Sequence, residues 1–280
     1  MEYVTTIAEL QEAITVLPRP LGFVPTMGAL HLGHVTLVRQ ACADNSSVAV
    51  SIFINPAQFG DVGGYEQYPR DLDADLRMLR QEGVNLVFVP KVEELYPVGF
   101  DTWIEPGRLA GLLEGEYRPG HFRGVSTIVT KLLSAFRPTR AYFGEKDAQQ
   151  LLLIRKLVTD LNLGVQVIGV STVREADGLA FSSRNSLLSP TERTAATILI
   201  QSLELARREL ERSVIDAHVV LDQMRALLMT EPLAQIDYIS MAHPDTLEEL
   251  TTVDGPVLVS LAVWIGSTRL IDNIRHDPRE

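Results

Sequence analysis

Short, almost wholly apolar runs rich in β-branched residues recur along the first 170 positions, at 21–24, 48–54, 86–90, 141–143 and 165–170. Strands with one wet face alternate apolar and polar residues; runs that stay apolar mark strands covered on both faces, as in parallel sheets. Between the runs, stretches with helical periodicity span 35–43, 71–81, 124–135 and 148–161. They stop at Gly83, before Pro138 and near Gly164, residues that end helices for steric reasons. The alternation predicts an α/β fold, a parallel sheet wrapped by helices.

After about residue 173 the order changes. Two helical stretches, 190–211 and 215–228, precede strand-like runs at 236–241, 257–265 and 269–274. Helices followed by strands predict a second, smaller α+β domain, with turns at Gly255-Pro256 and Gly266-Ser267. The expected division is 1–172 and 173–280, near Thr172.

The charge balance narrows the function. A net charge of -11 argues against an extended nucleic-acid surface, which needs many cations to displace phosphate counterions. It leaves room for one nucleotide, which needs only local cations and backbone amides. Cys42 is the single cysteine, so no internal disulfide forms; its neighbours Ala41 and Ala43 suggest a small buried apolar residue on a helix. No basic-plus-apolar leader and no membrane-length apolar run is present, and a soluble cytoplasmic protein is expected.

Candidate chemistry sits at the ends of the predicted strands. Pro25-Thr26-Met27-Gly28-Ala29-Leu30-His31-Leu32-Gly33-His34 follows the first parallel run and opens into a helix, the place where open α/β sheets bind nucleotides. Gly28 permits a tight turn, Gly33 leaves space for a phosphate, and His31 and His34 share a helical face from which ring N–H groups reach one anion. Gly144-Glu145-Lys146-Asp147 follows the run 141–143; Lys146 suits a phosphate and Asp147 a ribose, although Asp147 could equally be a helix N-cap. At the domain boundary, Ser182, Ser183 and Arg184 offer hydroxyls and a forked guanidinium to phosphates, while Arg174 could pair with Glu175 or Asp177 in a polar linker. The amides of Asn55, Gln58, Gln149 and Gln150 are the candidates for a small polar substrate; ordinary turn and surface roles fit them as well.

Five ordered segments then carry a resemblance: PTMGALHLGH at 25–34, SIFINPAQF at 51–59, RPGHFRGV at 118–125, FGEKDAQQ at 143–150 and VREADGLAFSSRN at 173–185. Together they closely resemble the pantothenate synthetase (pantoate–β-alanine ligase) family of the His-x-Gly-His nucleotidylyltransferase superfamily. The resemblance implies a Rossmann-like first domain, a C-terminal lid, a homodimer, Mg²⁺, and condensation of (R)-pantoate with β-alanine through a pantoyl adenylate at the expense of ATP. It implies ATP contacts at Met27, Gly28, Ala29, Leu30, His31, Leu32, Gly33 and His34, at Gly144, Glu145, Lys146 and Asp147, and at Val173, Phe181, Ser182, Ser183 and Arg184. It matches His34 to a proton donor, Gln58 and Gln150 to pantoate-binding glutamines, and Gln58 also to the β-alanine site. His31, Lys146 and Arg184 join His34 as catalytic candidates, and Asn55 stands beside them as a substrate-binding candidate.

Leu32 stands where the family usually has Glu, and Phe181 where it usually has Met. Two rival readings remain at this stage: a nucleotidyltransferase whose acceptor is a phosphate, and a nucleotide sensor that kept the fold without catalysis. The Gln58 and Gln150 pair weighs against the first, since a phosphate acceptor favours further Arg or Lys donors. The retained His31, His34, Lys146 and Arg184 weigh against the second.

Overall fold

The computed structural model describes residues 1–59, 64–213, 215–277 and 279. Its elements are β1 (Glu2–Val4), α1 (Ile7–Thr15), β2 (Leu21–Thr26), α2 (Leu32–Asp44), β3 (Ser47–Ile52), α3 (Leu72–Gln81), β4 (Leu86–Phe88), α4 (Val92–Leu95), α5 (Glu114–Tyr117), α6 (His121–Phe136), β5 (Arg140–Gly144), α7 (Ala148–Asp160) and β6 (Gln166–Val170). There follow α8 (Pro190–Ala195), α9 (Ile198–Glu211), α10 (Ala217–Leu228), β7 (Ala234–Ala242), β8 (Val257–Ile265) and β9 (Thr268–His276). The chain separates into two compact units, Met1–Ser171 and Thr172–Glu280.

The first unit is a six-stranded sheet in the order β1-β4-β3-β2-β5-β6, with every pairing parallel. Strands β3 and β4 are laid down on one side of β2, and β5 and β6 on the other. The order therefore reverses between β2 and β5, and loops leaving their carboxyl ends diverge around a crevice. Leu21, Phe23, Val24, Val48, Ala49, Val50, Leu86, Val87 and Phe88 are all buried, as expected for strands covered on both faces. Phe23 stacks on Phe136 of α6 with ring centroids 4.1 Å apart, fixing that helix against the sheet.

The second unit packs α8, α9 and α10 on an antiparallel sheet in the order β7-β8-β9. Leu199, Leu203, Ala206, Val220, Met224 and Leu228 meet alternate residues of β8, Val257, Val259, Leu261 and Val263.

The helix predicted over 190–211 is two. Thr197 donates its hydroxyl to the Thr194 carbonyl and its backbone N–H to the same oxygen, which tightens the chain and separates α8 from α9. The helix expected to start at Val35 begins at Leu32, because His31 caps it. Strand β1 and helix α1 lay below the sequence signal: three residues carry no readable period, although Thr6 and Glu9 form a capping box at α1.

Candidate active site

The turn after β2 is built by backbone strain held from several sides. Gly28 has φ +80° and Ala29 φ +50°, both left-handed. Thr26 accepts the Gly28 N–H on its hydroxyl oxygen and donates that hydroxyl to Ser51 on β3. The buried Asp75 of α3 accepts the N–H groups of Ala29 and Leu30 at 2.9 and 2.8 Å.

His31 and His34 then cap α2 reciprocally. Nδ1 of His31 accepts the N–H of Gly33 at 3.2 Å, and Nδ1 of His34 accepts the N–H of His31 at 3.3 Å. A backbone N–H can only donate, so both Nδ1 atoms are unprotonated and each neutral ring carries its proton on Nε2. The rings lie 4.1 Å apart, centroid to centroid. Burial, then the neighbouring His31 and Lys146, push the His34 imidazole down to about 3. His34 is thus a neutral Nε2–H donor at pH 7. β2 and β5 pair in parallel, so the turns that follow them leave the same edge of the sheet.

The loop's own amides are largely spent, within the loop or on Asp75: those of Gly28, Ala29, Leu30, His31 and Gly33 all have partners. Its capacity for an anion therefore lies in imidazole Nε2–H groups, and Lys146 adds a cation in the turn after the neighbouring strand β5. Asp147 occupies the N-cap position of α7 but makes no capping hydrogen bond, so the helix-cap role considered for its carboxylate is not realised.

The glutamine candidates divide sharply. Gln149 is buried; its amide donates to the carbonyls of Leu109 and Leu112 and accepts the N–H of Glu114. That consumes its polar atoms in tying the 109–114 segment to α7, so it is no substrate ligand. Gln150, half-buried one position on, makes no side-chain hydrogen bond among the described residues.

Gln58 ends a single 3-10 turn, Pro56–Gln58, after β3. Asn55 donates Nδ2 to Gln58 Oε1 at 3.1 Å and to the Gly124 carbonyl at 3.1 Å, and its Oδ1 accepts from Tyr96 at 2.8 Å and from the Ala57 N–H. With Oε1 held, Gln58 turns Nε2 toward Met27 Sδ, 2.9 Å away on the β2–α2 turn. Asn55 is only 1% exposed with both ends of its amide engaged, and it holds the Oε1 end of Gln58.

Two residues of the 118–125 segment, to which the sequence assigned no role, hold the same turn. The Gln58 carbonyl accepts from His121 Nδ1 at 2.8 Å, which makes Nε2 the unprotonated nitrogen, and Arg118 donates to that Nε2 at 3.2 Å. Gly124 lets α6 approach, since a Cβ there would run into the Ala57 carbonyl.

In the second unit, the 173–185 segment is fastened rather than loose. Arg174 pairs with the buried Asp272 of β9 at 2.6 Å, not with Glu175 or Asp177, which Arg193 of α8 takes instead. The Phe181 N–H reaches the Val173 carbonyl, bringing those two nucleotide candidates side by side. Ser182 caps a 3-10 turn over Ser183–Leu187 by accepting the Arg184 N–H, and the Arg184 side chain forms no ion pair among the described residues.

Cys42 is half-buried, and its thiol, raised by burial and by Glu82, meets the Glu82 carbonyl at 3.5 Å. Among the described residues no group of three or more His, Cys, Asp or Glu could hold a metal ion, and no helix is long and apolar enough to cross a membrane.

The family described as pantoate-beta-alanine ligase matches residues 2–275. The pantothenate synthetase of Roseiflexus sp. (strain RS-1) is 52% identical over 273 residues, 98% of this chain and 98% of that protein. The crystal structure of pantothenate synthetase from Thermus thermophilus superposes with a TM-score of 0.94 at 45% identity, covering 98% of this chain and 99% of that one. The pantoate-beta-alanine ligase of Francisella tularensis, complexed with beta-gamma ATP and beta-alanine, matches with a TM-score of 0.81 at 34% identity over 100% of this chain and 98% of that one.

Proposed function

The chain belongs to the pantoate-beta-alanine ligase family, and on that premise we propose that it forms pantothenate from pantoate and β-alanine by way of a pantoyl adenylate made from ATP. The observation that carries the reading is the contact of Gln58 Nε2 with Met27 Sδ. It joins an oriented amide, suited to a carboxylate, to the turn that bears His31 and His34.

In the first step the pantoate carboxylate attacks the α-phosphorus in line, and pyrophosphate leaves. The reaction needs no covalent enzyme nucleophile, so positioning and charge stabilisation supply the acceleration. His31 and His34 offer Nε2–H and Lys146 offers a full charge where negative charge builds up. With a neutral imidazole, His34 meets the phosphates through an Nε2–H hydrogen bond rather than with a full positive charge. Gln58 and Gln150 orient pantoate through neutral amides, which hold the carboxylate without pairing its charge and so leave it nucleophilic. In the second step the β-alanine amine attacks the activated carbonyl and AMP leaves.

The 173–280 unit is proposed to act as a lid carrying Val173, Phe181, Ser182, Ser183 and Arg184 to the nucleotide, with Arg184 neutralising phosphate charge. Mg²⁺ fits as part of the nucleotide substrate: the donors here are imidazoles, amides and Lys146 rather than a carboxylate cage, so the ion would sit on phosphate oxygens. A cytoplasmic homodimer completes the proposal, and light scattering of the purified chain tests the dimer. The chemistry is tested with pantoate labelled with oxygen-18 in its carboxylate: label in AMP supports the adenylate, and label confined to pantothenate refutes it.

A further inference from the structure

We propose that Asp75 is a positioning residue for the adenylation step, holding the β2–α2 turn in the shape that aims His31 and His34. The proposal rests on the reading of that turn as the ATP site. Asp75 lies 46 positions from Ala29 in sequence, on α3, yet its Oδ2 accepts the Ala29 N–H and its Oδ1 the Leu30 N–H. Each oxygen thus fixes one of two consecutive amides, which sets both the position and the tilt of the turn. The turn needs such support, because Gly28 and Ala29 are both left-handed and a non-glycine residue adopts that conformation only when its surroundings over-determine it.

The carboxylate is an unfavourable group to keep here. It is 3% exposed, makes no ion pair among the described residues, and burial raises its affinity for a proton against the two amide hydrogen bonds. It also adds negative charge beside a turn that is read as receiving phosphates. A residue retained for bulk or solubility would not be an anion in this place; two inward-facing acceptors are what the turn uses. Contact is close, since a Cβ on Gly28 would lie 2.9 Å from Oδ2. Alongside lies a cavity of about 400 Å³ bordered by Gly28, Ala29, Val89 and Val92 as well as Asp75, so packing from that side does not replace the carboxylate's hold.

Asp75→Asn keeps the volume but leaves one acceptor, and its NH₂ would face one of the two amide donors. The test compares the full-length wild type with Asp75→Asn and His34→Ala in pantoate-dependent exchange of pyrophosphate into ATP, alongside thermal melts and calorimetric titration of pantoate. The expected result is an exchange kcat at least tenfold lower in folded Asp75→Asn, with pantoate affinity within twofold of wild type and His34→Ala also impaired. A merely structural role would lower the melting temperature and leave the kcat of the folded enzyme unchanged. Folded Asp75→Asn exchanging at the wild-type rate, while His34→Ala has lost exchange, overturns this proposal alone. Wild-type exchange in both variants overturns the ATP-site reading beneath it. Should Asp75→Asn fail to fold, amide hydrogen exchange of the wild type decides: slow exchange at Ala29 and Leu30 supports the hold, and exchange as fast as at the exposed Val98 refutes it.

Discussion

Asn55 hands its Nδ2 hydrogen to Gln58 Oε1 over 3.1 Å, and that one bond decides which end of the Gln58 amide faces Met27. The chain of command extends back to Tyr96, whose hydroxyl donates to Asn55 Oδ1 at 2.8 Å. Burial raises the Tyr96 phenol well above its ordinary value, so it stays a donor throughout the working pH range.

Tyr96→Phe removes that donor while keeping the ring between Phe53, Phe100 and Trp103. Losing one neutral hydrogen bond of about 1 kcal/mol should weaken pantoate binding roughly fivefold, with ATP affinity within twofold. Calorimetric titration of each substrate checks the split; equal losses would detach Tyr96 from Gln58.

Gln149 and Gln150 should behave as opposites although they are neighbours. Gln149→Ala strands the Leu109 and Leu112 carbonyls and the Glu114 N–H, and should destabilise the fold by several kcal/mol at about 1–3 kcal/mol for each buried group left unpaired. Gln150→Ala should leave the melting temperature nearly unchanged and weaken pantoate binding. Gln150→Glu should weaken it further at neutral pH, by about 4 kcal/mol for two carboxylates about 4 Å apart at an effective dielectric near 20, and recover partly as pH falls.

His34 makes a pH prediction whose sign can be worked through. Its folded value of about 3 lies below the ordinary value of 6.5, so between those pH values the unfolded chain binds the extra proton. The contribution is absent above pH 6.5, destabilises increasingly as pH falls, and levels off below about 3. Denaturation of wild type and His34→Asn from about pH 7 to about pH 4 should therefore show a shallower acid loss in the variant. Imidazole NMR should find the Nε2–H tautomer of His34 throughout that range.

Lys146→Ala and Arg184→Ala should each lower adenylation turnover about a hundredfold with the fold intact, the scale expected for preorganised charge. Steady-state exchange kinetics measure it; wild-type rates in both would remove these cations from the site.

Much of this was legible in advance because it rests on local rules. Uniformly apolar runs mark covered parallel strands, and β2 and β5 each deliver a polar turn to the same sheet edge. What the sequence concealed depends on partners distant along the chain. Nothing near Asp75 announces that it holds residues 29 and 30, and nothing in 118–125 says that His121 and Arg118 grip Gln58 across about sixty positions. The same reason separates Gln149 from Gln150: both are glutamines in the first turn of a helix, and only the approach of the 109–114 segment decides which is consumed. Arg174 likewise had acidic neighbours in sequence but found Asp272 in space.

The most direct measurement is exchange of labelled pyrophosphate into ATP by the purified chain without β-alanine. The account predicts exchange that requires both pantoate and Mg²⁺, since the adenylate forms before the amine enters. Exchange that appears only when β-alanine is added, or that proceeds without pantoate, would contradict it.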